Sequence, residues 1–148
     1  MGRKFTEKDT KAYLMSLQDF AKKNHDRLVQ IVELRAVAES CTVRTDKESI
    51  QSSGSGDKLA NIVGKIVDLE HEMYRTEKII KHRRAEFEEI VNKFTDERQR
   101  DFLTVRYVDG NGFYDTAMIM DLSDSTARRI HRKAITQFTI LFNEKHYI

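Results

Sequence analysis

The chain has 148 residues, with 26 Lys+Arg against 24 Asp+Glu, a net charge of +2 and 39% hydrophobic residues. That is one domain, or a small domain with an elongated extension, too apolar for a disordered tail and too charged for a membrane protein. Zero prolines and six glycines leave little to interrupt helices, so an all-β fold has almost no support.

The opening MGRKFTEKDT lacks the apolar core of a signal peptide and matches a myristoylation site poorly. No apolar run is long enough to span a bilayer, so a cytoplasmic protein without a membrane partner is expected. The first predicted helix covers about 7–40. Its seam reads Leu14, Leu17, Ala21, Asn24, Leu28, Ile31, Arg35, Ala38, alternating spacings of three and four, with Asn24 and Arg35 as polar interruptions. Asn24 in such a seam suits a register-setting role. A polar connection follows over 42–56, where Gln51-Ser52-Ser53-Gly54-Ser55-Gly56 has linker composition and Asp57 can cap the next helix.

The second helix, 57–94, carries the clearest pattern: Leu59, Ile62, Ile66, Leu69, Met73, Thr76, Ile80, Arg83, Phe87, Ile90, Phe94. Nine of those eleven positions are apolar, and a helix roughly 50–55 Å long cannot bury its stripe on itself. It needs the first helix folded back on it as an antiparallel coiled-coil hairpin, a second copy of the chain in a homodimer, or both. Arg83 in the seam pairs with an acid across the hairpin or specifies register. Arg75, Lys78 and His82 share a face that suits phosphate or, with glutamates around it, a solvated flank.

From Thr95 the helices shorten. Asp96-Glu97 mark a helix start, Asp109-Gly110-Asn111-Gly112 ends that helix, a short helix spans 113–120, and a longer one runs over 123–142. The aromatics Phe102, Tyr107, Phe113, Tyr114, Phe138 and Phe142 are expected in the core of a small trihelical domain. The 113–132 segment fits a helix-turn-helix. Ala117 supplies the small residue at the crossing, Met120 and Leu122 flank the turn, Ala127 and Ile130 face inward, and Ser123 is the N-cap. Asp121 stands at the left-handed turn position, which favours glycine but tolerates aspartate.

The outer face then follows by geometry. Arg128, Arg129 and Arg132 point outward beside Ser125, with Lys133 and His131 turned toward phosphate or solvent. Ser123, Asp124, Ser125 and Thr126 lie where recognition helices touch bases or backbone. These eight residues, 123–126 with Arg128, Arg129, Arg132 and Lys133, form a candidate site for double-stranded DNA. A solvated helix face is the competing reading, because residues 95–148 hold eight basic and eight acidic side chains. No cofactor, metal or catalytic constellation is expected. The five histidines lack ligand spacing, Cys41 stands alone, and Gly54-Ser55-Gly56-Asp57-Lys58 lacks the strand and spacing of a phosphate loop.

The stretch FTDERQRDFLTVRYVDGNGFYDTAMIMDLSDSTARRIHRKAITQF, Phe94 to Phe138, resembles the region-4 module of bacterial sigma factors. The shared elements are the ERQR-like opening, the arginine-tyrosine pair near its end, the glycine break, the Ser-x-x-Thr start and the Arg132-Lys133-Ala134 continuation. With the preceding long helices, the chain is similar to small phage regulators of the RinA/ArpU type. That resemblance implies an activator of phage late genes, acting in the bacterial cytoplasm and in contact with host RNA polymerase. Asp115, Thr116, Asp121 and Ala127 depart from the usual sigma pattern, which leaves the DNA sequence read open. Two other readings remain: a small-terminase-like DNA-packaging subunit, and a protein-interaction module.

The expected architecture is thus all-α, with a helical hairpin over 1–94 and a sigma-region-4-like helix-turn-helix domain over 95–148.

Overall fold

The computed structural model describes residues 3–47 and 53–147, and all regular structure among them is helical. Helix α1 spans Glu7–Lys47, α2 Ser53–Val91, α3 Glu97–Leu103, α4 Phe113–Ile119 and α5 Asp124–Tyr147, with α3 running on through a wider π turn at Thr104–Val108. Both long helices extend into the expected polar connection over 42–56, of which residues 48–52 lie outside the described residues. Ser53–Gly56 form the first turn of α2, so Asp57 is inside the helix and not its cap. Without proline nothing removes a helical amide there, and each glycine costs only about 1 kcal/mol. At its other end α2 stops at Val91, and two tighter bonds, Lys93 N–H to Ile90 C=O and Phe94 N–H to Val91 C=O, wind it down.

The chain divides into two compact units: Met1–Asp19 with Ile80–Ile148, and Phe20–Ile79. The expected domain boundary at residue 94 therefore falls inside the first unit. The reason is the core. Leu14 and Leu17 of α1, Phe87, Ile90 and Val91 of α2, and Phe94 form one buried cluster with Leu103, Tyr107, Ile135 and Phe138. Phe138 stacks on Phe87 with ring centroids 5.9 Å apart, and Phe142 stacks on Phe5 at 4.0 Å. These two α5 aromatics face the ends of the long helices, while the helix-turn-helix has its own smaller cluster around Phe102. Polar contacts reinforce the join: Thr10 and Thr139 hydroxyls lie 2.5 Å apart, and Asn143 pairs with both backbone groups of Phe5 at 2.9 Å.

Helix α1 starts with a capping box. Thr6 Oγ1 accepts from the Asp9 N–H and the Asp9 carboxylate accepts from the Thr6 N–H. The Thr6 backbone bond holds the Asp9 carboxyl below its ordinary value. On the neighbouring stretch of α2, burial raises the Glu86 carboxyl, but hydrogen bonds from Tyr13 and Lys145 outweigh it and the net shift is downward.

In the second unit α1 and α2 pack antiparallel, with Asn24 reaching the Met73 carbonyl and Arg35 reaching Glu70. Every predicted α2 seam position is at least half-buried across the two units, but the α1 seam is rotated from the expected one. Leu28 is 46% exposed and Arg35 lies on the outside, whereas Arg27 turns inward. Arg27 donates to Asn24 Oδ1 and Thr76 Oγ1, both at 2.8 Å, and lies 3.4 Å from Glu72. Spacings of 24, 27 and 31 satisfy the three–four rhythm as well as 24, 28 and 31, and these bonds decide between them.

Candidate functional site

The helix-turn-helix is built from α4 and α5. Helix α3 leads into it, with Asp96 as its N-cap accepting from the Arg98 and Gln99 amides at 2.9 and 3.4 Å. The π turn that follows is closed by the Asp109 amide on the Thr104 carbonyl, 2.9 Å. Gly110, at φ +81°, then breaks the helix as the Asp-Gly-Asn-Gly run implied. Inside the motif, Ala117, Ala127, Ile130 and Phe102 form the buried cluster, with Met120 and Leu122 packed on it. Asp121 adopts φ +55°, the left-handed value that this turn requires. The Leu122 amide bonds back to the Ala117 carbonyl at 2.8 Å, and Ser123 Oγ accepts from the Thr126 amide at 3.3 Å to cap α5.

With the inner face buried, Ser123, Asp124, Ser125, Arg128, Arg129, Arg132 and Lys133 are all exposed, and Thr126 is half-buried. The hydroxyls of Ser123 and Thr126 bond to each other at 2.9 Å, so both belong to the cap. The four cations differ. Among the described residues none of Arg128, Arg129, Arg132 and Lys133 forms an ion pair with a protein carboxylate. Six consecutive residues, 128–133, thus present four unneutralised positive charges on one accessible turn and a half of helix.

A family described as "Protein of unknown function (DUF1492)" matches residues 39–139. The chain belongs to the DUF1492 family. No curated protein and no solved structure matches it. The DUF1492 match takes in α3, α4 and the first two-thirds of α5, and with them all eight candidate residues.

His131 is the residue whose position differs most from expectation. It is only partly exposed and turns off the outer face. Its Nε2 shares a 2.7 Å hydrogen bond with the Tyr107 hydroxyl, and its ring packs against Phe102 and Phe113. Burial, with the charges of Lys11 and Arg106 nearby, pushes it down to about 4. The one-turn spacing 127, 130, 131, 134 on α5 carries that signal, since His131 continues the inner face.

A second feature had no sequence signal. Lys11 of α1 joins Arg128 and Arg132 around a cleft of about 400 Å³, floored by His131 and Ile135 and bordered by Glu7. Glu7 is engaged by the Thr136 hydroxyl at 2.6 Å. Lys11 lies outside the DUF1492 match and more than a hundred residues from α5, so only the fold brings them together.

The remaining basic cluster lies along α2. Arg75, Lys78 and His82 are exposed on α2, with Lys78 resting over the Tyr74 ring at 4.5 Å. Arg83 is half-buried, donates to Ser16 Oγ and lies 5.5 Å from the centre of the Tyr13 ring. Among the described residues no three His, Cys, Asp or Glu gather as a metal site, and no helix is long and apolar enough to cross a membrane.

Proposed function

We propose that this protein is a sequence-specific DNA-binding regulator of transcription, with α5 entering the major groove. The observation that carries the reading is the row of four exposed cations, without an ion pair among the described residues, on the outer face of a helix whose inner face is buried in a helix-turn-helix. Arg128, Arg129 and Arg132 supply bidentate donors for guanine edges or phosphate, Lys133 supplies charge to the backbone, and Asp124 and Ser125 sit at the leading end of the helix. Lys11 adds a phosphate contact beside Arg128 and Arg132. The similarity to RinA/ArpU-type regulators adds the finer role, activation of phage late genes in a bacterial host.

Selection of bound duplexes from a random library, run in parallel with wild type and R128A/R129A/R132A, tests this. Wild type enriches a motif and the triple variant does not, while helicity and thermal unfolding stay the same. Weak, steeply salt-dependent binding without enrichment would instead support a packaging role. In the DNA-binding case Lys11→Gln weakens all sequences alike and lowers the salt slope by about 1.

A second reading has its own observation. Tyr114, Met118 and Ile119 of α4 are 59, 78 and 60% exposed, an apolar surface suited to a protein partner such as RNA polymerase. Absence of any DNA binding would favour an interaction module working through that surface.

A further inference from the structure

The second unit has very little apolar interior. Among its described residues the buried apolar side chains are Ile31, Cys41 and Ile62, interleaved with Asn24 and Thr76. Yet among its described residues it displays eight large apolar side chains to solvent, and five of them fall in register. On α1, Leu28 and Val32 fall in one row with Arg35, spaced four and three. On α2, Val63, Val67, Glu70 and Tyr74 fall in one row, spaced four, three and four. The Arg35–Glu70 ion pair, at 2.7 Å, spans the two helices and so places both rows on the same face of the hairpin. The five apolar members of that face are 42–60% exposed. The opposite side carries a groove in which Leu34, Val37 and Leu69 are rimmed by the charged side chains of Glu33, Lys65 and Asp68.

We infer that this face, Leu28, Val32 and Arg35 with Val63, Val67, Glu70 and Tyr74, docks on the same face of a second copy to make an antiparallel four-helix bundle. The second copy is singled out by the spacing and by the charges. Both rows repeat the three–four rhythm of a packing seam, so each row finds in the other a surface of matching periodicity. Each row also holds one charge, positive on α1 and negative on α2, at the same level of the hairpin. A two-fold axis running along the helices lays each α1 row antiparallel on the partner's α2 row, and Arg35 then meets Glu70 of the partner subunit. An axis across the helices would lay α1 on α1 and oppose arginine to arginine. The charges therefore select the first arrangement. This inference rests on the second unit alone and is independent of DNA binding.

Sedimentation equilibrium of the full chain at micromolar concentration is the test. Wild type sediments at twice its 17.4 kDa. Val67→Glu, on an exposed position, leaves circular dichroism unchanged and weakens the dimer more than about a hundredfold by placing a carboxylate in each half of the apolar contact. Arg35→Glu and Glu70→Arg each weaken self-association, and mixing the two variants restores a dimer, because every intermolecular pair is again of opposite sign. A monomeric wild type, a ring of higher order, a V67E chain that stays dimeric, or a mixture that fails to associate would each overturn the proposal.

Discussion

The two units solve the same problem, burying the stripes of long helices, in opposite ways. In the first, α5 crosses the ends of α1 and α2 and fills the space with Phe87, Phe138, Phe142 and Tyr13, a close-packed aromatic core. In the second, the same two helices have only each other, and the interior is held by Asn24, Arg27 and Thr76. A two-helix interior is too narrow to be dry, so hydrogen bonds set its register where packing cannot. The difference shows that helix length and heptad pattern alone do not make a stable core. A third element must cover the seam.

The sharpest way to break the contrast is Phe138→Ala. It leaves a cavity among Phe87, Tyr13 and Phe142 and lowers stability of the first unit by about 3–5 kcal/mol, read by denaturant unfolding. Acidification has a smaller effect on the same unit. The folded value of His131, about 4, lies below its ordinary 6.5, so the unfolded chain binds the proton first. Its contribution is complete above about pH 6.5 and declines as the pH falls toward 4. The lowered carboxylates Glu86 and Glu89 act only below their ordinary 4.5. Thermal unfolding between pH 6.5 and 4.5 therefore isolates the histidine, and His131→Gln flattens that slope.

Two changes sharpen the comparison from the other side. Arg27→Ala removes the hydrogen bonds to Asn24 and Thr76 and costs the second unit about 1–2 kcal/mol. Hydrogen exchange then speeds up in residues 20–79 and stays slow in the α5 core. Smallest is Asp121→Gly, which relieves a left-handed non-glycine residue and raises stability by up to about 1 kcal/mol, read as a higher unfolding midpoint.

Much of this was legible before any coordinates. Periodicity is local, and the α2 seam from Leu59 to Phe94 lies inward at each expected position. So is turn chemistry: Asp121 is left-handed, Ser123 caps, and Ala127 and Ile130 turn in because each follows from bonds within a few residues. The outward direction of Arg128, Arg129, Arg132 and Lys133 is the geometric complement of that inner face.

What required the tertiary structure is whatever depends on residues far apart in the chain. Arg27 replaces Leu28 in the α1 seam because Thr76, on the other helix, is there to bond it. The α5 spacing puts His131 on the inner face, but its hydrogen-bond partner, Tyr107, comes from the fold. Lys11 reaches Arg128 and Arg132 of α5 because Thr10 and Phe5 fasten the start of α1 to Thr139 and Asn143. The division of the chain follows from the same cause. Helical pattern runs unbroken through α1 and α2, but only where α5 packs across them does a three-layered aromatic core form, and a core belongs to whichever segments can bury one another.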